Sequence, residues 1–352
     1  MKKYLEKIEP SLREYYEILS PDMPEFLEEY INTEAMKKQA GISVTCGTYY
    51  SNMYDQVWYS SLDHSIAVAL IIWNFTKDKK QTLSGLFHDI ATPVFKHCID
   101  FMNKDYDKQE STEELTTKLI SDSKEIMDLL KRDGISIDEI KDYHMYSIAD
   151  NDTPLLSSDR LEYTLSNGYG VTEKIWGLND IKEVYKDIVV LKNEEGIDEL
   201  GFNSLEKAEK FVETMSQLSR LYRRNKTKFT MQFLADTMKK MSEAGLISVS
   251  DLYKYSEKEV MKMIEDSTLE NISDAFKKWK NTDSINESDD MPDAGTYFVS
   301  IDNVKVRYIN PLVKMQNGEV KRIVDISDKA KEAINVAKEY KTKKYVYLDF
   351  KY

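Results

Sequence analysis

Histidine is scarce in this chain: four in 352 residues, three of them between positions 63 and 97. Cysteine is scarcer still, and the two present, Cys46 and Cys98, cannot build a disulfide framework for a chain of this length. No apolar run reaches the ~18–20 residues needed to cross a bilayer. The greasiest stretch, residues 66–75 (IAVALIIWNF), reads as a buried helix. The first residues, MKKYLEKIEPSLREYY, lack the apolar core of a signal peptide, so a cytoplasmic location is expected and a membrane partner is not. Positive charge is also in deficit. A net charge of −13 argues against attraction to a nucleic-acid backbone, yet leaves room for a small anionic substrate where a metal and local basic groups dominate one cleft.

Glycine (12) and proline (7) are sparse as well, which favours long helices. Apolar residues recur three to four apart through 113–132, 205–221, 229–241 and 257–264, and Asp133-Gly134 closes the first of these with a turn. The acidic stretch 281–295 (NTDSINESDDMPDAG) reads as a linker. After it come β-like runs at 296–301, 304–309, 319–324 and 345–350, with one helical stretch at 330–340. The expected fold is mainly α: a helical domain over 1–285, and a small α+β domain over 286–352.

Chemistry concentrates around the histidines. His64 lies in LDHSIAVALII, and His88-Asp89 closes LSGLFHDIATP. Neutral imidazoles and carboxylates suit a borderline divalent cation, and helices that each present one ligand can share an interior point. Adjacent helical side chains point about 100° apart, so the His-Asp pair is best placed near a helix end. Asp159, opening the helical pattern of SSDRLEYTL, is positioned to add a fourth ligand. The plainer reading of any one of these histidines is a hydrogen-bonded core residue; the ordered set is what carries the metal reading. Asp63, beside His64, is a candidate for orienting a ligand.

The order His…His-Asp…Asp resembles the HD-domain superfamily of metal-dependent phosphohydrolases. DHSIAVA is similar to its first motif, FHDIATPVFKH to its second and SDRLEY to its last, while LYRRNKTKFT (221–230) resembles a helix of the dNTP triphosphohydrolase, or dGTPase-like, branch. The resemblance spans about 49–238. It implies an all-helical HD-domain core, with His64, His88, Asp89 and Asp159 holding a divalent metal (Mn, Fe, Zn, Ni or Mg). It implies a small phosphorylated substrate, a nucleotide above all, and homo-oligomeric assembly of unspecified number. Carried over by position, His97 and Glu110 become catalytic residues, and Arg160, Tyr163, Tyr222 and Arg223 substrate-binding ones. His97 also reads as a packing residue beside Cys98, and Glu110 and Glu113 as an acidic helix start. The basic cluster Arg220, Arg223, Arg224, Lys226 and Lys228 reads equally as a phosphate clamp or a solvated face.

Two positions depart from the branch. Ser61 stands where it usually has an arginine, and Thr92 where it tends to have a histidine. His144, in KDYHMYSIADND, reads as structural or ligand-orienting. The expected activity is hydrolysis of a phosphate ester or anhydride by a metal-activated water. The alternative is a catalytically idle HD module that binds a nucleotide signal and regulates a partner.

Overall fold

Ser60 starts the central helix by accepting from the Asp63 backbone N–H, while the Asp63 carboxylate accepts from the Ser60 N–H (2.9 Å), a reciprocal cap. The helix then runs Ser61–Thr76 and ends at Lys77 in the left-handed region. Residues Ile66 to Ile72 are fully buried. Each such aliphatic side chain contributes on the order of 1.5–3 kcal/mol relative to exposure, which explains why so apolar a helix sits at the centre. The next helix, Lys79–Phe87, is capped by Asp78 and folds back against it. Gly85 makes that approach possible: a Cβ there would come within 2.2 Å of Ile72 Cδ1. His88 follows at the C-terminal end of this second helix.

The computed structural model describes residues 3–105, 115–350 and 352. The architecture is mainly α, with sixteen α-helices and seven short strands among the described residues. One core surrounds the Ser61–Thr76 helix and includes Tyr15, Leu27, Phe87, Leu161 and Phe211. A second surrounds the helix Asn225–Glu243 and includes Phe229, Phe233, Phe276 and Trp279. Among the described residues no helix is long and apolar enough to cross a membrane.

Several helices fall where periodicity places them: Leu205–Tyr222, Asn225–Glu243, Glu257–Glu265 and Asp328–Glu339. The stretch expected as one helix over 113–132 is instead two, Thr116–Asp122 and Lys124–Asp133. Ser123 divides them, because its extended backbone frees its hydroxyl to cap the second by accepting from Ile126 N (3.4 Å).

The β structure differs more. A four-stranded sheet joins Ile188–Lys192 and Asp198–Phe202, an unanticipated hairpin, to Leu312–Lys314 and Val320–Arg322. A second sheet pairs Asn286–Ser288 and Phe298–Val299 with the two sides of Tyr345–Tyr347. The acidic stretch read as a linker thus supplies a strand. Ile309, Val313, Ile323 and Ile334 enter the first core, and Val299, Ile301, Val346 and Leu348 the second. The arm 304–309, expected as a strand, has no regular structure and links the strand Phe298–Val299 to the strand Leu312–Lys314.

Candidate metal centre and its cavity

His64 and Asp63 sit in the first turn of the central helix, His88-Asp89 at the end of the next, and Asp159 in the first turn of Ser158–Ser166. That last helix is capped by Ser157 Oγ, which accepts from Arg160 N (3.3 Å). The fold groups three of the four expected ligands, and Asp159 lies beside the two histidines. His64, His88 and Asp89 offer donor atoms that all lie within 4.8 Å of one another. His64 Nε2 and His88 Nε2 are 3.2 Å apart, and Asp159 Oδ1 lies 3.1 Å from the first and 3.8 Å from the second. Asp89 Oδ2 is 3.9 and 3.8 Å from the same two nitrogens.

These separations suit a cation. Bonds of about 2.0–2.2 Å place neighbouring ligands roughly 3–4 Å apart in tetrahedral or octahedral geometry. The ring orientation also fits, since the far nitrogens are already engaged: His88 Nδ1 lies 2.6 Å from Gly85 O, and His64 Nδ1 bonds Glu162 Oε2. Such bonds fix the tautomer and turn Nε2 towards the shared point.

Asp63 does not orient His64. Its carboxylate caps its own helix and accepts from Tyr4 Oη (2.7 Å) and Tyr16 Oη (3.1 Å). Glu162 takes that role instead. It has no solvent exposure, and Oε1 accepts from Tyr59 Oη (2.7 Å) and Tyr15 Oη (3.1 Å). The sequence signal was its position three residues after Asp159, which puts both carboxylates on one helix face between Leu161 and Leu165.

Lys96 is a second residue that motif reading missed. It is buried, and Nζ donates to Asp89 Oδ2 at 2.5 Å, an oxygen that also accepts from Ser61 Oγ (3.2 Å). Phe95 and Lys96 both adopt positive φ (60° and 42°), an uncommon backbone for residues with side chains. Burial would push the Asp89 carboxyl up, but Lys96, His88 and His64 hold it well below the usual carboxylate range. Asp159 is likewise held low, against burial, chiefly by His64. Burial disfavours a charged His64, yet Glu162 and Asp159 overcome this and raise the imidazole to about 10 when no cation is bound.

The centre opens into a cavity of about 440 Å³. Of the remaining expected site residues, His97, Arg160, Tyr163 and Tyr222 line it. His97 Nδ1 is 2.8 Å from Asp100 Oδ2, and burial lowers its pKa, so the ring is neutral. Arg160 is occupied: its guanidinium donates to Asp150 Oδ1 (2.8 Å), Asn151 Oδ1 (2.9 Å) and Ser157 Oγ (2.9 Å). Tyr222 Oη is buried and has no hydrogen-bond partner among the described residues.

Arg223, expected to bind substrate, is outside the lining. Its Nη2 donates to Tyr340 O (2.8 Å) and its guanidinium lies over the Tyr340 ring, because it faces the C-terminal helix. Its neighbour Arg224 lines the cavity instead. The rest of the basic cluster divides, with Lys226 donating to Met53 O (2.7 Å) and Lys228 to Ile301 O (2.9 Å). His144 also lines the cavity, with Nε2 3.1 Å from Asp150 Oδ2, and its neighbour Tyr143 stacks on His88 at 4.9 Å. Glu110 and Glu113 lie outside the described residues.

No family model matches the chain. An uncharacterized protein of Bacillus subtilis, YdhJ, is 25% identical over 252 residues, 70% of this chain and 73% of that one. Two crystal structures share the fold. A hypothetical protein from Aquifex aeolicus superposes with TM-score 0.62 at 17% identity, covering 93% of both chains. A structure from Bacteroides thetaiotaomicron described as a phosphohydrolase superposes with TM-score 0.64 at 14% identity, covering 94% of this chain and 97% of that one.

Proposed function

We propose that this chain is a metal-dependent phosphohydrolase of the HD superfamily, acting on a nucleotide or other small phosphate ester or anhydride. One observation carries the reading: two imidazoles 3.2 Å apart each lie 3–4 Å from the carboxylates of Asp89 and Asp159, on the wall of a cavity large enough for such a substrate. The similarity of fold to a protein described as a phosphohydrolase supports it.

A divalent ion held by His64, His88, Asp89 and Asp159 would lower the pKa of a bound water and neutralise phosphoryl charge. The protein's own groups supply the rest. Glu162 and Gly85 O hold the two imidazoles in the ligand tautomer. His97, neutral and fixed by Asp100, is a proton acceptor at Nε2. Tyr222 Oη offers a hydrogen bond that no described residue takes. Arg160, held by Asp150, shapes the wall.

A dNTP triphosphohydrolase-like specificity is the narrower form of the proposal. Ser61 bears on it, because in place of a phosphate-binding arginine it donates to Asp89. The same feature, with Lys96 on Asp89, favours the second reading: a module that binds a nucleotide without cleaving it. Metal analysis together with a nucleotide panel separates the two. Stoichiometric metal with release of phosphate, pyrophosphate or triphosphate, both lost in Asp89→Ala, supports the enzyme. Nucleotide binding without product release in Mn²⁺ supports the module.

A further inference from the structure

Four donors meet on the Glu162 carboxylate. Oε1 accepts from Tyr59 Oη (2.7 Å) and Tyr15 Oη (3.1 Å). Oε2 accepts from Ser166 Oγ (3.4 Å) and bonds His64 Nδ1. An ionised carboxylate offers about four acceptor positions, so this set fills it. His64 and Ser166 line the cavity, whereas Tyr15 and Tyr59 lie outside the lining and hold the carboxylate from behind. The last torsion of a glutamate is soft. A carboxylate held at Oε2 alone could swing away from His64, and two hydroxyls on Oε1 close that freedom.

Both tyrosines are themselves fixed by contacts that do not involve their hydroxyls. Tyr59 O accepts from Val44 N (3.1 Å), and the next residue, Ser60, forms a bridge with Ser43. Tyr15 lies on the helix Pro10–Leu19, which ends where Tyr185 Oη donates to Leu19 O (2.7 Å). Its ring stacks on Tyr169, with centroids 6.5 Å apart. Tyr15 and Tyr59 are buried, so removing a hydroxyl leaves a ring that still packs. The neighbouring residue supplies a comparison. Tyr16 is on the same helix and equally buried, yet it donates to Asp63 Oδ1 (3.1 Å) and not to Glu162.

We propose that Tyr15 and Tyr59 are positioning residues of the metal centre. By pinning Glu162 Oε1 they fix Oε2 on His64 Nδ1, and through it the direction of His64 Nε2. The helix Pro10–Leu19 contributes none of the proposed ligands, but through Tyr15 it sets how tightly the centre holds a divalent cation. The inference rests on the metal reading of that centre.

The test measures Mn²⁺ affinity of the full chain by competition with a chromogenic chelator, in variants that lose one hydroxyl and keep the ring. Losing the partner of a metal-bound histidine costs about 10–100-fold, so Tyr15→Phe and Tyr59→Phe, each removing half of what holds Oε1, are expected to weaken binding by about three- to tenfold. The double variant should lose more than either. Tyr16→Phe is expected to leave the affinity unchanged. In a Glu162→Ala background, the Tyr15 and Tyr59 substitutions should have no further effect, because their path runs through that carboxylate. Unchanged affinity in both single variants overturns the proposal and leaves the metal centre standing. Equal weakening in Tyr16→Phe also overturns it, by making the effect a general loosening of the helix. So does a full additional loss in the Glu162→Ala background. Wild type that takes up no divalent metal overturns the proposal together with the reading beneath it.

Discussion

Glu162 and His64 share a hydrogen bond at the floor of the cavity, between a carboxylate without solvent exposure and the nitrogen of the imidazole that faces away from the metal position. Removing the negative charge while keeping the shape leaves His64 less basic and free to turn. Glu162→Gln is therefore expected to weaken metal affinity by about 10–100-fold, the usual effect of losing such a partner. Competition with a chromogenic chelator measures this directly. Glu162→Ala should also lower stability, since Tyr15 and Tyr59 lose their buried acceptor. Unchanged affinity in Glu162→Gln would show that His64 is oriented by packing alone.

Metal uptake should depend steeply on pH. Without a cation, Glu162 and Asp159 keep His64 protonated up to about pH 10. Binding at Nε2 requires that proton to leave, so affinity rises with pH, by up to about tenfold per unit below that value. Calorimetry in buffers of differing ionisation enthalpy should register proton release at pH 7. Binding without proton release would place the cation away from His64.

Much of the proposed centre is legible in the sequence because its candidate ligands lie in short, ordered motifs on helices whose apolar periodicity is strong. His64 and His88-Asp89 need only local reading, and Asp159 follows from its cap and motif. Glu162 and Lys96 escaped because their roles depend on burial and on a positive-φ turn, which residue spacing does not display. Arg223 and Arg224 show the same limit: adjacent positions at a helix end face opposite directions, and only packing decides which one meets the cavity. The C-terminal arm was missed for a different reason. Alternation at 304–309 marks a half-buried extended segment, and the sequence does not say whether its partner is a strand or a cavity. The hairpin at 188–202 went unread because it sits inside a helical stretch, with its pairing completed by strands more than a hundred residues later.

Lys96 and a divalent ion both neutralise Asp89, so they oppose each other. In Lys96→Met the half-buried Asp89 carboxylate loses its partner at 2.5 Å. The metal-free variant should be less stable by about 3–5 kcal/mol, the common cost of breaking a buried pair. Metal should bind more tightly to it and recover most of that loss. Urea unfolding with and without Mn²⁺ tests both halves. A variant equally destabilised in the two conditions would mean that Lys96 acts through the 95–96 turn rather than through Asp89.

A second buried carboxyl should set how stability varies with pH. Glu257 has no solvent exposure; Oε1 accepts from Phe95 N at 3.3 Å, and Oε2 has no partner among the described residues. Burial pushes its pKa up to about 8. A carboxyl raised on folding binds its proton more tightly in the native state, so its contribution is present below the unfolded value near 4.5 and is lost as pH rises to about 8. At about 1.4 kcal/mol per unit, the ceiling is roughly 4–5 kcal/mol. Glu257→Gln removes the ionisation, so its stability relative to wild type should climb across this window and level off above it. His64 and His144, raised from 6.5 to about 10 and about 9, also change stability with pH from about 6.5 upward, so the difference between variant and wild type isolates Glu257. Urea midpoints at pH 5, 6.5 and 8.5 give the slope, and a flat difference would show that Glu257 is ionised, with its charge met by groups around it.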